Sequence, residues 1–272
     1  MHFGIDIVNF GDYANPGTMA QVARTAEESG WEGLFIWDHL AFVWGMSTGD
    51  PWVLLTAAAG VTDKIKLGPA VTPLPRRRPH VLAGTLATLD QYTGGRMVLG
   101  VGLGGVTEEF TAFGESADAR VRAARLDESL EVLKGLWSGK PFSFQGEHLS
   151  VDNVTLSPVP VQRPRIPIWV GGNSGPARRR AARWDGWFPD SVDEHRITKT
   201  PQALAADVNQ MKTLRGSLDH FDIIFMGYSE PVERAKAKEY AGAGATWWLE
   251  CLHGLRGSFD QMIARVRAGP PS

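Results

Sequence analysis

Apolar positions along the chain follow two alternating rhythms. From Phe3 to Val8 they alternate with small or polar residues, the period of a strand. From Met19 to Ser29, Val22, Ala26 and Ser29 share one side of a helix, and Gly30 follows as a stop. Gly33 to Trp37 is a short apolar run, as in a strand buried on both faces. Pro51 to Gly60 predicts a helix with Asp50 as its cap. Ile65–Val71 and Met97–Val101 read as strands, with a helix over Pro79–Gln91 between them. The strongest helix runs from about Asp118 to Trp137, with Leu126, Leu130, Leu133 and Trp137 on one stripe. A longer loop rich in proline and polar residues is expected from Ser138 to Pro167.

The same rhythm continues to the end of the chain. Ile168–Val170, Gly186–Phe188, Asp222–Met226 and Thr246–Leu252 predict strands. Pro176–Arg183, Gln202–Leu214 and Pro231–Ala241 predict helices, the last started by Pro231. Ser258 and Gln261 form a capping-box pattern before Met262, Ile263 and Val266. Eight strand-then-helix units argue for one closed (β/α)8 TIM barrel as a single domain over residues 1–272. An open, doubly wound sheet is the alternative.

Composition narrows the function classes. The chain is 43% hydrophobic and 21% charged, which argues against disorder. A net charge of −2 gives no broad attraction to nucleic acid or to an anionic membrane. The basic run Arg76-Arg77-Arg78 is short and bounded by prolines, so a loop feature competes with a polyanion site. One cysteine, Cys251, excludes an intramolecular disulfide. No signal peptide and no bilayer-spanning run are visible, so a soluble cytoplasmic protein is expected. Ten tryptophans either fill a large core or line a pocket for a flat ligand.

In such a barrel the chemistry sits at the C-terminal ends of the strands. These ends carry Asp38-His39-Leu40 with Trp44, Pro69 to Pro73, Gly102-Leu103-Gly104-Gly105, and Gly171-Gly172-Asn173-Ser174. The glycines from Gly100 to Gly105 match a dinucleotide fingerprint formally, but no acid follows at the end of a next strand. They read better as close approach of bare backbone to a flat ring or ligand. Gly171 to Ser174 precedes a helix start, which suits a phosphate, although a plain turn capped by Ser174 reads equally well. His39 is the strongest candidate for proton transfer near neutral pH, against a structural histidine at a strand end. No metal-ligand spacing or nucleophile elbow is present, so a bound organic cofactor is left to carry the hard step.

At these residues the sequence resembles the bacterial luciferase-like superfamily of flavin- and deazaflavin-dependent oxidoreductases. The segments are Gly33-Leu-Phe-Ile-Trp-Asp-His39, Ile65-Lys-Leu-Gly68, Leu89-Asp-Gln-Tyr-Thr-Gly-Gly-Arg96 and Leu99-Gly-Val-Gly-Leu-Gly104 with Glu108-Glu-Phe110. Arg125-Leu-Asp-Glu-Ser-Leu-Glu-Val-Leu133 and Pro158-Val-Pro-Val-Gln-Arg-Pro164, running into Ile168 to Ser174, complete the set. They cover about residues 1–190; the last third matches only in rhythm.

The resemblance implies a ring lying across the strand ends. Asp38, Trp44, Gly102 and Gly104 would lie among its contacts, and His39 would touch it or handle a proton. It also implies a non-proline cis peptide at Ala70-Val71 and a cofactor phosphate at Gly171, Gly172, Asn173 and Ser174. Where some deazaflavin enzymes carry an acid after the glycines, this chain has Gly105, with Glu108 or Glu109 as substitutes. Coenzyme F420 is the expected cofactor, with FMN as the alternative and Arg76-Arg77-Arg78 a candidate contact for the acidic deazaflavin tail. The expected activity is hydride transfer to or from a small organic substrate. An FMN-dependent monooxygenase using oxygen and a non-catalytic flavin-binding protein are the alternatives. A small-molecule substrate is expected as partner, without nucleic acid or membrane, and a homodimer is admissible.

Overall fold

Capping side chains set where most helices begin. Asn15 Oδ1 accepts from Gly17 N at 2.8 Å, and Pro16 occupies the first turn. Asp50 accepts from Trp52 N at 2.9 Å and Asp118 from Arg120 N at 2.6 Å. Ser258 and Gln261 close the expected capping box reciprocally. The computed structural model describes residues 1–271. Its first elements are β1 (His2–Ile7), α1 (Pro16–Glu28), β2 (Gly33–Ile36), α2 (Pro51–Ala59), β3 (Lys66–Pro69), β4 (Thr72–Pro73) and α3 (Pro79–Thr93). Next come β5 (Leu99–Gly102), α4 (Glu108–Thr111), α5 (Ala119–Leu136), β6 (Phe142–Gln145), β7 (Ser150–Val154), β8 (Ile168–Gly171) and α6 (Gly175–Ala181). The chain closes with β9 (Gly186–Phe188), α7 (Pro201–Arg215), β10 (Asp222–Gly227), α8 (Arg234–Gly242), β11 (Trp247–Leu252) and α9 (Phe259–Arg267).

All barrel pairings are parallel. β1 pairs with β2 and β11, and the order continues through β10, β9, β8 and β5. The third barrel strand is in two pieces: β3 pairs with β2, and β4 pairs with β5. A parallel bridge between Leu67 and Met97 joins the two edges and closes the ring, so the open sheet is excluded. Between the two pieces, the peptide Ala70–Val71 is cis.

Two apolar shells form. Phe35, Val98, Trp169, Ile224, Trp247 and Leu249 fill the barrel, while a larger set packs between strands and helices. Trp137, Trp169, Trp187 and Trp248 are fully buried. Trp31, Trp52, Trp184 and Trp247 are nearly so, and Trp37 and Trp44 stand at the mouth. The tryptophans therefore serve mainly the core. The short β9 fits because Gly186 leaves its inner side to Trp169; a Cβ there would meet Trp169 Cδ1 at 2.4 Å.

Three expectations need correction. The stretch Ser138–Pro167 is not all loop, since β6 and β7 form an antiparallel hairpin outside the barrel. Phe142, Phe144, Leu149 and Val151 pack against the core, and Glu128 accepts from the turn amides Glu147 N, His148 N and Leu149 N. That long-range anchor has no local sequence signal. Helix α8 begins at Arg234 rather than at Pro231, because Glu233 turns back to accept from Glu230 N at 2.9 Å and from Lys236 Nζ. Helix α1 begins one turn early, at Pro16, under the Asn15 cap. No described helix is long and apolar enough to cross a membrane.

Candidate active site

The chain end of β2 carries a buried charge network. His39 Nδ1 lies 3.1 Å from Glu109 Oε1. Glu109 is almost fully buried and also accepts from Leu40 N at 2.7 Å and from Arg76 Nη1 at 2.5 Å. Burial pushes the Glu109 carboxyl up, but the hydrogen bonds and charges of His39 and Arg76 outweigh it and hold the group down at about 2. An ionised carboxylate only accepts, so the His39 ring proton sits on Nδ1 and a neutral ring leaves Nε2 bare. Trp44 packs on this ring in a T-shape at 5.1 Å, with Phe10 and Trp37 nearby. Asn9 Nδ2 donates to His39 O and its Oδ1 accepts from His39 N, which fixes the backbone.

Asp38 makes no contact with the His39 side chain, and both follow the end of β2 at Ile36. Its carboxylate accepts from Arg76 Nη2 at 2.9 Å, Arg77 Nη2 at 2.6 Å and the Thr72 hydroxyl. Arg76 and Arg77 are thus spent on internal acids, and only Arg78 of the basic run is exposed. Of the two acids suggested as substitutes, Glu109 reaches His39 while Glu108 is exposed. Held ionised, Glu109 orients His39 and is a poor acid.

The barrel's own packing requires several of the glycines. A Cβ on Gly68 would lie 2.0 Å from Val98 O, and one on Gly100 would lie 2.2 Å from Pro69 O. Val71 projects into the barrel past Gly100, Gly102 and Gly171, with its methyls 2.7–3.6 Å from their virtual Cβ positions. Gly104, at φ +85°, clears the Phe110 ring, and its carbonyl accepts from Arg122 Nη1 at 2.9 Å. Bare backbone here leaves room for Val71 and for the neighbouring strands.

At the end of β8, Gly172 takes φ +115° and its N–H is given to Phe188 O. Ser174 caps α6 by accepting from Ala177 N, and Asn173 Nδ2 donates to Asp190 O. The amides of Asn173, Ser174 and Gly175 find no acceptor among the described residues, and buried Asn173 Oδ1 finds no donor. Arg179 Nη1 lies beside Gly175 and pairs with no acid among the described residues, whereas Arg178 and Arg180 pair with Asp207 and Asp127. Sequence reasoning missed Arg179 because three consecutive arginines look alike until the helix aims them.

The opposite side of the mouth comes from the last third of the chain. Tyr228 Oη donates to Asp193 O at 2.8 Å and lies 2.9 Å from His253 Nε2. A cleft of about 300 Å³ beside Tyr228 is lined by His195, Lys236 and Arg256 among others. Burial, with Arg256 close by, pushes His253 down, which keeps it neutral. Burial pushes Cys251 up, so its thiol is not a nucleophile. No group of three or more metal-ligating side chains occurs among the described residues.

Asp6, on β1, is enclosed, with Trp37 Nε1 donating to its Oδ2 at 2.6 Å. Burial pushes its carboxyl up to about 8, against the smaller effect of Trp37. The folded-state value lies above the unfolded one, so its stabilisation is complete below about pH 4 and is lost as pH rises to about 8. Asp6→Asn abolishes this titration. Urea unfolding at pH 5 and pH 9 is expected to show the variant gaining on the parent at high pH, by on the order of 4 kcal/mol. A pH-independent difference between the two proteins would show Asp6 to be ionised throughout.

Comparison with known proteins agrees with this architecture. The profile of the luciferase-like monooxygenase family matches residues 1–220. The chain is 36% identical over 174 residues to an FMNH2-dependent dimethylsulfone monooxygenase of Pseudomonas putida, covering 62% of this chain and 47% of that protein. It is 37% identical over 173 residues to an F420-dependent glucose-6-phosphate dehydrogenase of Nakamurella multipartita, covering 61% and 49%. It thus spans about half the length of these two relatives. The F420-dependent tetrahydromethanopterin reductase of Methanopyrus kandleri superposes with a TM-score of 0.79 at 19% identity, over 98% of this chain and 96% of that one, which shows a common fold. With the family profile covering most of the chain, and the closed barrel and strand-two histidine in place, the chain belongs to the luciferase-like monooxygenase family.

Proposed function

We propose that this chain is an oxidoreductase that binds coenzyme F420 across its strand ends and exchanges a hydride with a small organic substrate. The observation that carries the reading is the His39–Glu109 pair, which offers a bare Nε2 at the mouth beside Trp44. Hydride transfer to or from an alcohol or carbonyl carbon moves a proton on the oxygen as well, and His39 Nε2 takes or returns it. Glu109 and Arg76 hold the ring orientation, and Trp44 limits water around it. When bound, the deazaflavin supplies the carbon that accepts or donates the hydride.

The residues present fit such a cofactor. The free amides of Asn173, Ser174 and Gly175, with Arg179 beside them, suit its phosphate, and Asn173 Oδ1 is an acceptor left for a hydroxyl. Arg179→Ala is expected to weaken cofactor binding about tenfold with little change in stability, since the side chain is exposed. Unchanged affinity in a fluorescence titration would move the phosphate elsewhere.

FMN would use the same phosphate contacts, and the likeness to an FMNH2-dependent relative keeps it as the second reading. Titrating the apo protein with each cofactor decides between them. Tighter binding of F420, with substrate-dependent reduction and little oxygen uptake, is the expected result. Tighter binding of FMN, with oxygen consumption on reduction, would make the chain a monooxygenase.

A further inference from the structure

Phe42 and Phe113 take no part in the chemistry above, yet both stand in water beside it. With Trp44 they are the only exposed phenylalanines and tryptophans among the described residues, at 44%, 64% and 44%. Met46, on the same loop as Phe42 and Trp44, is 47% exposed.

Two loops build this surface. Glu109 accepts from Leu40 N and Ala41 N, which ties α4 to the loop after β2. The Phe42 and Phe113 rings then meet edge to face across the two loops, 5.8 Å apart. Thr48 Oγ1 donates to Leu40 O and Met46 N to Ala41 O, so the first loop folds back on itself. Trp44 joins the patch to the proton-carrying ring, 5.1 Å from His39.

Charge is missing from this side of the mouth. No residue from Leu40 to Gly49 is charged. The cations nearby are engaged: Arg76 and Arg77 by Asp38 and Glu109, and Arg122 by Gly104 O and the Phe110 ring. Glu108, at the start of α4, stands exposed and repels anions. The cleft on the opposite wall is polar, with Glu194, Lys236 and Arg256 in its lining, so an apolar group has one side to lie on. Exposed apolar patches of this kind mark binding surfaces. The occupant is small, because a protein or a membrane seated here would cover the His39 ring that has to meet the substrate.

We propose that Phe42, Trp44, Met46 and Phe113 are the specificity surface of the site. They select an uncharged substrate whose carbonyl or hydroxyl lies at His39 and whose apolar tail runs along the Phe42–Phe113 pair. The proposal rests on the reading of the site given above and names its substrate class: apolar ketones or aldehydes and the corresponding alcohols.

Ligand-observed NMR titration with 2-butanone, 2-hexanone and 2-octanone tests it without turnover, on protein loaded with coenzyme F420 and separately with FMN. Kd is expected to fall about fourfold per added methylene, the gain from burying one CH2 group. The anion 7-oxooctanoate matches 2-octanone in length but ends in a carboxylate, and is expected to bind about tenfold more weakly or worse. Phe42→Ser and Phe113→Ser are each expected to cut the gain to under about twofold per methylene. Val53→Ser, exposed on α2, should leave it unchanged. All three side chains are exposed, so thermal unfolding of the variants should stay with the parent. A Kd independent of chain length, 7-oxooctanoate binding as tightly as 2-octanone, or a dependence that survives in both phenylalanine variants overturns the proposal. Failure of both cofactors to bind the parent, followed separately by absorbance, overturns the cofactor reading and this proposal with it.

Discussion

His39→Ala is expected to lower turnover by about 10²–10⁴-fold, the range that a positioned general acid–base supplies. Steady-state rates with the preferred cofactor measure it. Thermal unfolding of the same variant is expected to move little, because the side chain is 21% exposed and makes one hydrogen bond. Glu109 keeps Arg76, Leu40 N and Ala41 N as partners when the imidazole is gone. Catalysis and folding should therefore separate at this position. Glu109→Gln makes the complementary case. It removes one of the two acids that hold Arg76, leaving Asp38, and frees the His39 tautomer, so rate and stability should fall together. Equal turnover in His39→Ala and the parent would reduce the histidine to a structural role at a strand end.

Glu250→Ala is expected to cost about 3–5 kcal/mol, the range for stripping one partner from a buried ion pair. Glu250 is fully buried on β11 and accepts from Arg256 Nη1 at 2.5 Å, Ser229 N at 2.8 Å, the Ser229 hydroxyl at 2.6 Å and Trp248 Nε1 at 3.0 Å. Arg265 Nη2 lies 3.4 Å away, with its guanidinium over Trp31. Removal strands one buried guanidinium, Arg265, one half-buried guanidinium, Arg256, and three further donors where the last strand meets the last helix. Urea unfolding at neutral pH is the measurement, and Glu250→Gln should lose less because it keeps an acceptor. A loss under about 1 kcal/mol would mean that Arg256 and Arg265 are satisfied by the carbonyls of Cys251, Ser229 and Gly269, which they also reach.

Local signals carried most of the architecture. The alternation of Phe3–Val8, the Leu126–Trp137 stripe, the Asp50–Pro51 start and the Ser258–Gln261 box depend on neighbours within a few residues, so they are written in the sequence and recur in the fold. Even the weak unit at Gly186–Phe188 is a strand, because three buried residues between Trp169 and Asp222 suffice. The hairpin β6–β7 was hidden by proline-rich flanks and held from a distance by Glu128.

The site divides along the same line. The family, the eightfold βα order and the place of His39 at a strand end are legible along the chain, because order and local pattern are one-dimensional properties. What His39 meets is settled by the way the chain folds back on itself. Glu109 is 70 residues away, and Arg76, which could have faced solvent or a ligand, is drawn inward by two buried acids that need a cation. It likewise decided that Gly100, Gly102 and Gly171 yield space to Val71, and that Arg179, rather than Arg178 or Arg180, pairs with no acid among the described residues and lies beside the Gly171–Gly175 turn. Asp6 reads in the sequence as an ordinary polar position of a strand; closure of the barrel encloses it without a cation. Pairing, burial and desolvation are set by which strands and helices are brought together across the ring, and no periodicity along the chain records that.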